Sequence, residues 1–583
     1  MYIEKINNPS ELKKLDIKEL PVVAEEIREL IISKVSACGG HLASNLGIVE
    51  LTLALHYIFD SPNDKIVYDV SHQTYSHKIL TGRRDAFACE DKYNTITGFS
   101  NPDESEHDLF VLGHTSTSIS LACGLAKARE VKGGKENVIA VIGDASLDGG
   151  QAFEALNYAS ELKSNIIVVI NDNEMSIPEN YGALATHLSD LRVSKGKTDN
   201  NFFEALGFEY YLVENGNCVD DIIAVFRKIK DADHPVAVHI CTKKGYGYRY
   251  AEEDKEKWHW ARPFDREKGE FLTSVPKENY GSIVSDYLLD KMKKDSEVVT
   301  IAASTPVCIG FDKEKRDQAG TQYIDVGIAE QNGVTMAAAM AKAGCKPVFA
   351  TNATFIQRAY DQIVQELSIN KSPATLIVTH ASVYGHHNDT HIGLLDIPLL
   401  GNIPNLMYLA PANKEEYIAM LDWSIEQKAF PVAIRVPWTG VTHTTEIVDT
   451  DYSTIKYKIT AKGRGICIIA LGGFYELGKR TADMIKEKTG IDVTLINPRY
   501  ITGIDTETLD WIKDNHEIVV TLEDGILSGG FGAKISQYYS DKNIKVYNFG
   551  FSMDIPRKYN PNELMRKNLL TEEQITGEIM KIL

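Results

Sequence analysis

Short unbroken apolar runs alternate along this chain with longer stretches whose apolar residues recur every three or four positions. Residues 138–142 (VIAVI) form one such run and stop at Gly143-Asp144; residues 166–170 (IIVVI) form another and stop at Asn171. Runs of that length without alternation predict strands buried on both faces. Between them Ala152, Leu156, Ala159 and Leu162 fall on one face of a predicted helix. The stretch therefore reads as strand, helix and parallel strand, with Asp144 and Asn173 just past the carboxyl ends of the two strands. That edge is where ligands bind in open α/β sheets.

The same rhythm continues downstream. Strands are expected at 298–302, 346–350, 375–378, 407–410 and 432–436, with helices at 354–367 and 414–425 between them. A last group is expected at 466–470, 492–496, 518–521 and 545–549. Strands alternating with helices predict parallel sheets in all three blocks. A charged, aromatic segment (AEEDKEKWHWARPFDREKGE) closes the first block, and a Thr-, Asp- and Pro-containing linker (VPWTGVTHTTEIVDTDYST) separates the second from the third. The expected architecture is α/β, with three doubly wound domains at 1–270, 275–440 and 455–583. A chain of 583 residues is too long for one core, which agrees with that division.

Composition removes several function classes. A net charge of −19 argues against a nucleic-acid partner. The eight cysteines are scattered with no CxxC pair, so neither a disulfide framework nor a zinc site is expected. The first fifteen residues (MYIEKINNPSELKKL) lack an apolar core, and no stretch reaches the length of a membrane span. A cytoplasmic protein is the expectation.

The chemistry concentrates at Gly143-Asp144-Ala145 and Asn171-Asp172-Asn173, with Asn173 lying 29 residues beyond Asp144. A carboxylate and an amide oxygen are a partial oxygen set that leaves Mg²⁺ free to take phosphate oxygens and water. A helix beginning at Gly149-Gly150 adds backbone N–H groups for an anion. The spaced pattern resembles the thiamin diphosphate motif, which opens with Gly-Asp-Gly and closes on an Asn-rich turn; Ala145 replaces its second glycine. The plain alternative is an ordinary strand–helix–strand unit with a Gly-Asp turn.

Longer stretches carry a fuller resemblance. GGHLASNLGIVELTLALHYIFD (39–60), YDVSHQTYSHKILTGRRD (68–85), GHTSTSIS (113–120), NDNEMSIPENYGAL (171–184), TKKGYGY (242–248), DVGIAEQ (325–331), TFIQRAYDQ (354–362) and GGFGAKI (529–535) are similar to 1-deoxy-D-xylulose-5-phosphate synthases, in the transketolase-like group of thiamin diphosphate enzymes. The resemblance implies a diphosphate-binding domain, a pyrimidine-binding domain and a C-terminal domain, assembled as a homodimer. It implies that Asp144, Asn173 and the main-chain carbonyl of Met175 hold Mg²⁺. It places His72, Gly113, His114, Thr115, Ala145, Ser146, Asn173 and Tyr248 around the diphosphate. Glu330 would bond the pyrimidine ring, with Phe355 beside it and Arg358 near the substrate channel. His41, His72, His259 and His391 would move protons, for which imidazole is suited. Taken singly, Glu330 is also a helix N-terminal acid stabilised by the dipole, and each histidine is equally a surface or core residue.

The departures gather where an acceptor would bind. The synthases usually carry Asp-Arg where this chain has Thr379-His380, and that arginine helps hold the acceptor's phosphate. A histidine does not replace a bidentate arginine, and transketolases carry Thr-His there. His387 stands where an Asp is expected, four residues before His391; Asn352 replaces a tyrosine and Asn332 a histidine. The family's Pro-Arg-Gly reads Pro437-Trp438-Thr439-Gly440, while Arg435 is retained. Arg358, His380, His387, His391 and Arg435 are the expected substrate residues. The leading expectation is decarboxylating ligation of pyruvate with glyceraldehyde 3-phosphate to 1-deoxy-D-xylulose 5-phosphate, a step of isoprenoid and thiamin biosynthesis. The alternatives are a transketolase-like enzyme with another donor or acceptor, and a non-catalytic cofactor-binding protein.

Overall fold

The computed structural model describes residues 1–162, 164–384 and 388–583. The chain divides into two compact units, one of Met1–Val275 with Gly327–Ala329, the other of Pro276–Val326 with Glu330–Leu583.

In the first unit β1 (Lys65–Tyr68), β2 (Val138–Gly143), β3 (Ile166–Asp172), β4 (Glu209–Val213) and β5 (Pro235–Cys241) form a parallel sheet in the order β1-β2-β3-β5-β4. Side chains alternate between its faces. Ile139, Val141, Ile167 and Val169 join a core with the helices Leu20–Cys38 and Val49–Ile58. Val138, Ala140, Ile142, Ile166, Val168 and Ile170 join a second core with the helices Ser118–Lys132 and Gly150–Ala159. Both faces are covered, which is why these strands read as unbroken apolar runs; each fully buried Ile or Val contributes about 2 kcal/mol. Ala152, Leu156 and Ala159 are buried as expected, and Leu162 follows in the 3₁₀ turn Ser160–Leu162. A small antiparallel ribbon, β6 (Phe264–Asp265) with β7 (Glu270–Phe271), lies near the end of this unit.

The second unit holds two sheets. β8 (Val298–Ala302), β9 (Tyr323–Asp325), β10 (Lys346–Asn352), β11 (Thr375–Ala381), β12 (Met407–Leu409) and β13 (Val432–Pro437) are parallel in the order β12-β13-β11-β10-β8-β9. β14 (Lys458–Ala461), β15 (Gly465–Ala470), β16 (Thr494–Asn497), β17 (His516–Ile526) and β18 (Lys545–Phe551) follow in the order β14-β16-β15-β17-β18. The expectation of a wholly parallel third sheet is corrected here: β14 runs antiparallel to β16. It is an edge strand with every residue half-buried or exposed, so it carries no apolar run to read. The same holds for the edge strand β9, whose three residues are all half-buried. Ile397, Leu400, Tyr408 and Ala433 share one core with Leu471, Ile496, Val519 and Phe531, so the two sheets fold as one unit.

The helix expected at 354–367 is wound differently. It is a 3₁₀ segment (Phe355–Ala359), one α-turn (Tyr360–Gln362) and a π-segment (Ile363–Ile369). Ile356, Ala359, Ile363 and Leu367 are still buried along it, so the apolar spacing was read correctly and the winding was not. Among the described residues no helix is long and apolar enough to cross a membrane.

Candidate active site

The candidate residues of the first unit lie at the carboxyl edge of its sheet. Asp69, directly after β1, is fully buried; one carboxylate oxygen accepts the Ser116 N–H at 2.8 Å and the other accepts those of Thr117 and Ser118 at 3.0 and 2.9 Å. This fixes the loop that carries Gly113, His114 and Thr115 into the helix Ser118–Lys132. The Ser116 hydroxyl donates to the Ser146 carbonyl at 2.8 Å, tying that loop to the buried turn of Asp144, Ala145 and Ser146. A Cβ on Gly149 would lie 2.1 Å from the same hydroxyl, so only glycine fits there.

The histidines converge for a local reason. Gly40 and Ala261 exchange two backbone hydrogen bonds (2.9 and 2.8 Å), and the Ala43 N–H donates to the Trp258 carbonyl at 3.0 Å. These pairings lay the His41 turn along the segment bearing His259. The Asn45 amide then donates to the carbonyls of both His41 and His72 at 2.8 Å. The three rings lie 4.9 Å (His41–His72), 5.6 Å (His41–His259) and 5.4 Å (His72–His259) apart. His259, between Trp258 and Trp260 in the sequence, thus belongs to this cluster. Burial, with Lys244 adding to it, pushes the His72 imidazole down to about 3, and its Nδ1 is buried without a hydrogen-bond partner.

Asp144 follows β2 and Asp172 ends β3, neighbouring strands. Burial first, and then the Asp172 carboxylate, push the Asp144 carboxyl well above the usual range. Burial alone would also raise Asp172, but His239 at 2.7 Å and the Arg192 guanidinium hold it down to about 2. Asn180 donates to Asp144 at 2.9 Å. Asn173 and Met175 share one turn, the Met175 N–H donating to Asn173 Oδ1 at 3.2 Å. Lys244, after β5, is buried and donates to the Ser176 carbonyl; burial pushes its ammonium down to about 7, with Asp144 opposing. Among the described residues no three His, Cys, Asp or Glu side chains gather as a metal site. The expected set consists instead of one carboxylate, one amide and one main-chain carbonyl. Tyr248 is placed differently from the others: its ring packs on Trp258 and Phe264, and its hydroxyl donates to the Arg266 carbonyl at 3.0 Å.

In the second unit the residues again follow the carboxyl ends of strands. Glu330 opens the helix Glu330–Lys342 and is 4% exposed. Burial raises its carboxyl above the ordinary value, with Arg358 partly offsetting this from 3.7 Å. Its Oε2 has no hydrogen-bond partner among the described residues. Phe355 and His391 meet edge to face at 5.6 Å. His380, at the end of β11, has φ +54° and stacks on Trp438 at 3.9 Å and 20°. His387 lies outside the described residues.

Arg435 has a different occupation from the expected one. It is 1% exposed and donates to Asp396 (2.6 Å), Asp524 (2.5 Å) and the Gly393 carbonyl (3.2 Å). Its guanidinium is spent within the fold, so the expected substrate contact is withdrawn. Asp69, Asn45 and Lys244 were not singled out from the sequence, although all three lie inside the quoted motifs YDVSHQ, GGHLASN and TKKGYGY.

Comparison with known proteins agrees with this arrangement. Residues 3–200 match the family described as 1-deoxy-D-xylulose-5-phosphate synthase, 278–441 the transketolase pyrimidine-binding domain and 456–575 the transketolase C-terminal domain. A protein of Caldanaerobacter subterraneus named 1-deoxy-D-xylulose-5-phosphate synthase is 39% identical over 622 aligned positions, covering 99% of each chain. One of the same name from Clostridium beijerinckii is 38% identical, covering 100% of this chain and 99% of its own. A solved transketolase from Campylobacter jejuni aligns over 97% of this chain and 100% of its own at 16% identity, with a TM-score of 0.44. The two full-length relatives settle the kinship: this chain belongs to the 1-deoxy-D-xylulose-5-phosphate synthase family, thiamin diphosphate enzymes of transketolase-like fold.

Proposed function

We propose that the chain joins pyruvate to glyceraldehyde 3-phosphate, releasing CO₂ and giving 1-deoxy-D-xylulose 5-phosphate, with thiamin diphosphate and Mg²⁺. The observation that carries this reading is Glu330, a buried carboxyl with one oxygen left without a hydrogen bond. A buried polar atom of that kind calls for a partner, and a ring nitrogen of the cofactor's pyrimidine meets the need. Thiamin diphosphate supplies the carbon nucleophile that cleaves the bond beside the ketone carbonyl.

The chain's own residues do the rest. Glu330 would bond a ring nitrogen of the bound pyrimidine and so favour the form of the cofactor that gives up its proton. Phe355 packs beside that ring. Gly113, His114, Thr115, Ala145, Ser146, Asn173 and Tyr248 are proposed around the diphosphate, and Asp144, Asn173 and the Met175 carbonyl around Mg²⁺. The burial of Asp144 supports a cation there, since a buried carboxylate lowers its cost by taking a positive charge beside it. His41 and His259 are proposed to hold or pass protons in the first unit, with His72 a neutral ring beside them, and His391 to do so in the second. Arg358 and His380 are proposed to meet substrate. The division into domains at 1–270, 275–440 and 455–583, the homodimer and a cytoplasmic location belong to the same proposal.

The test is CO₂ release from pyruvate with thiamin diphosphate and Mg²⁺, with and without glyceraldehyde 3-phosphate. Aldehyde-stimulated release with deoxyxylulose phosphate as product supports the reading. Turnover of a ketose phosphate without release from pyruvate would move the chain to transketolase chemistry. Glu330→Gln is expected to cut turnover by about 100-fold or more while circular dichroism stays unchanged; an active variant would remove its role.

A further inference from the structure

The stack of His380 on Trp438 bears on what the acceptor must look like. His380 ends β11 with a left-handed backbone, and its Nδ1 meets the Thr379 hydroxyl at 3.1 Å. Thr379 is itself held by Asn352 at 2.9 Å. The Gly393 backbone closes on the same strand end, where a Cβ would meet the His380 carbonyl at 2.3 Å. The imidazole is therefore aimed by its neighbours, and it lies flat on an indole that is 50% exposed.

Three arginines of this unit are engaged by carboxylates. Arg435 is held by Asp396 and Asp524, Arg358 faces Glu330 at 3.7 Å, and Arg557 meets Asp389 at 2.7 Å. Recognition of a phosphate dianion draws on forked, charge-assisted donors. Among the described residues, the end of β11 presents a flat aromatic pair with an open indole edge. Such a surface binds by packing and by contacts to hydroxyl groups.

We propose, resting on the reaction given above, that His380 and Trp438 are specificity-determining residues of an acceptor subsite that grips the aldehyde's carbon chain rather than its phosphate. The subsite then takes an unphosphorylated short aldehyde about as well as its phosphate ester.

The test has two arms on the full-length protein with thiamin diphosphate and Mg²⁺. The first measures kcat/KM for pyruvate with D-glyceraldehyde and with D-glyceraldehyde 3-phosphate. The second titrates the two aldehydes by tryptophan fluorescence without pyruvate, in the wild type and in Trp438→Phe. The expected result is a ratio within about tenfold between the two acceptors, with His380→Arg and Trp438→Arg each shifting it towards the phosphate by about tenfold or more. A wild-type preference for the phosphate of about 100-fold or more, or an Arg557→Ala variant that loses only the phosphorylated acceptor, overturns the proposal. Absence of CO₂ release with either acceptor counts against the reaction, while the fluorescence arm still decides the subsite: equal binding of the two aldehydes supports it and binding of the phosphate alone overturns it.

Discussion

Burial governs how His72 behaves with pH. Its folded value is about 3, against an ordinary value of about 6.5 in the unfolded chain. A base whose folded value is depressed refuses a proton that the unfolded chain accepts. Its contribution to stability is therefore present above about pH 6.5 and is lost as the pH falls towards about 3. Urea unfolding at pH 7, 5.5 and 4.5 should show this loss, and His72→Gln should flatten it; an equally steep loss in the variant would assign it elsewhere. At this scale the sequence was legible where chemistry follows a strand end, as for Asp144, Glu330 and His72. It was not legible for Arg435, because a retained arginine looks the same whether it faces a substrate or two buried aspartates. Lys244 was passed over for a related reason: a lysine in a motif of small and aromatic residues reads as surface until the strands around it bury it.

Among the elements, the loop 113–117 and the turn 144–148 depend on one another. Asp69 accepts three backbone N–H groups in a site without water access. Asp69→Ala leaves those donors unsatisfied and should cost about 3 kcal/mol or more of stability. Denaturant titration reads that loss, and a change below about 1 kcal/mol would mean the loop finds other partners. Gly149→Ala is expected to push Ser116 away and to weaken diphosphate binding, measured by calorimetry with thiamin diphosphate. The long apolar strands were legible because both faces are covered, so each position had to be apolar. The edge strands β9 and β14 were not, since pairing on one side alone leaves a short polar segment sufficient. The 354–369 segment shows the same limit: its buried positions keep helical spacing while the backbone passes through three different windings.

For the whole molecule, each of the three expected blocks holds one main sheet, yet the second and third share a core and cluster together. Sequence pattern reports where a sheet begins and ends; it does not report how much apolar surface two sheets share. The proposed homodimer should appear in sedimentation equilibrium as twice the chain mass, and a monomer that turns over at full rate would remove it. With a net charge of −19, the chain repels an anionic cofactor at long range and must attract it locally. Two helices begin at the carboxyl edge of the first sheet, Ser118–Lys132 and Gly150–Ala159. The first already has its amides engaged by Asp69, whereas the second starts at Gly149 with no side-chain cap. One helix dipole has a permanent internal counter-ion and the other is left for a guest. A single internal carboxylate thus separates two helix starts that the sequence makes look alike, closing one with its own charge and leaving the other without a side-chain cap.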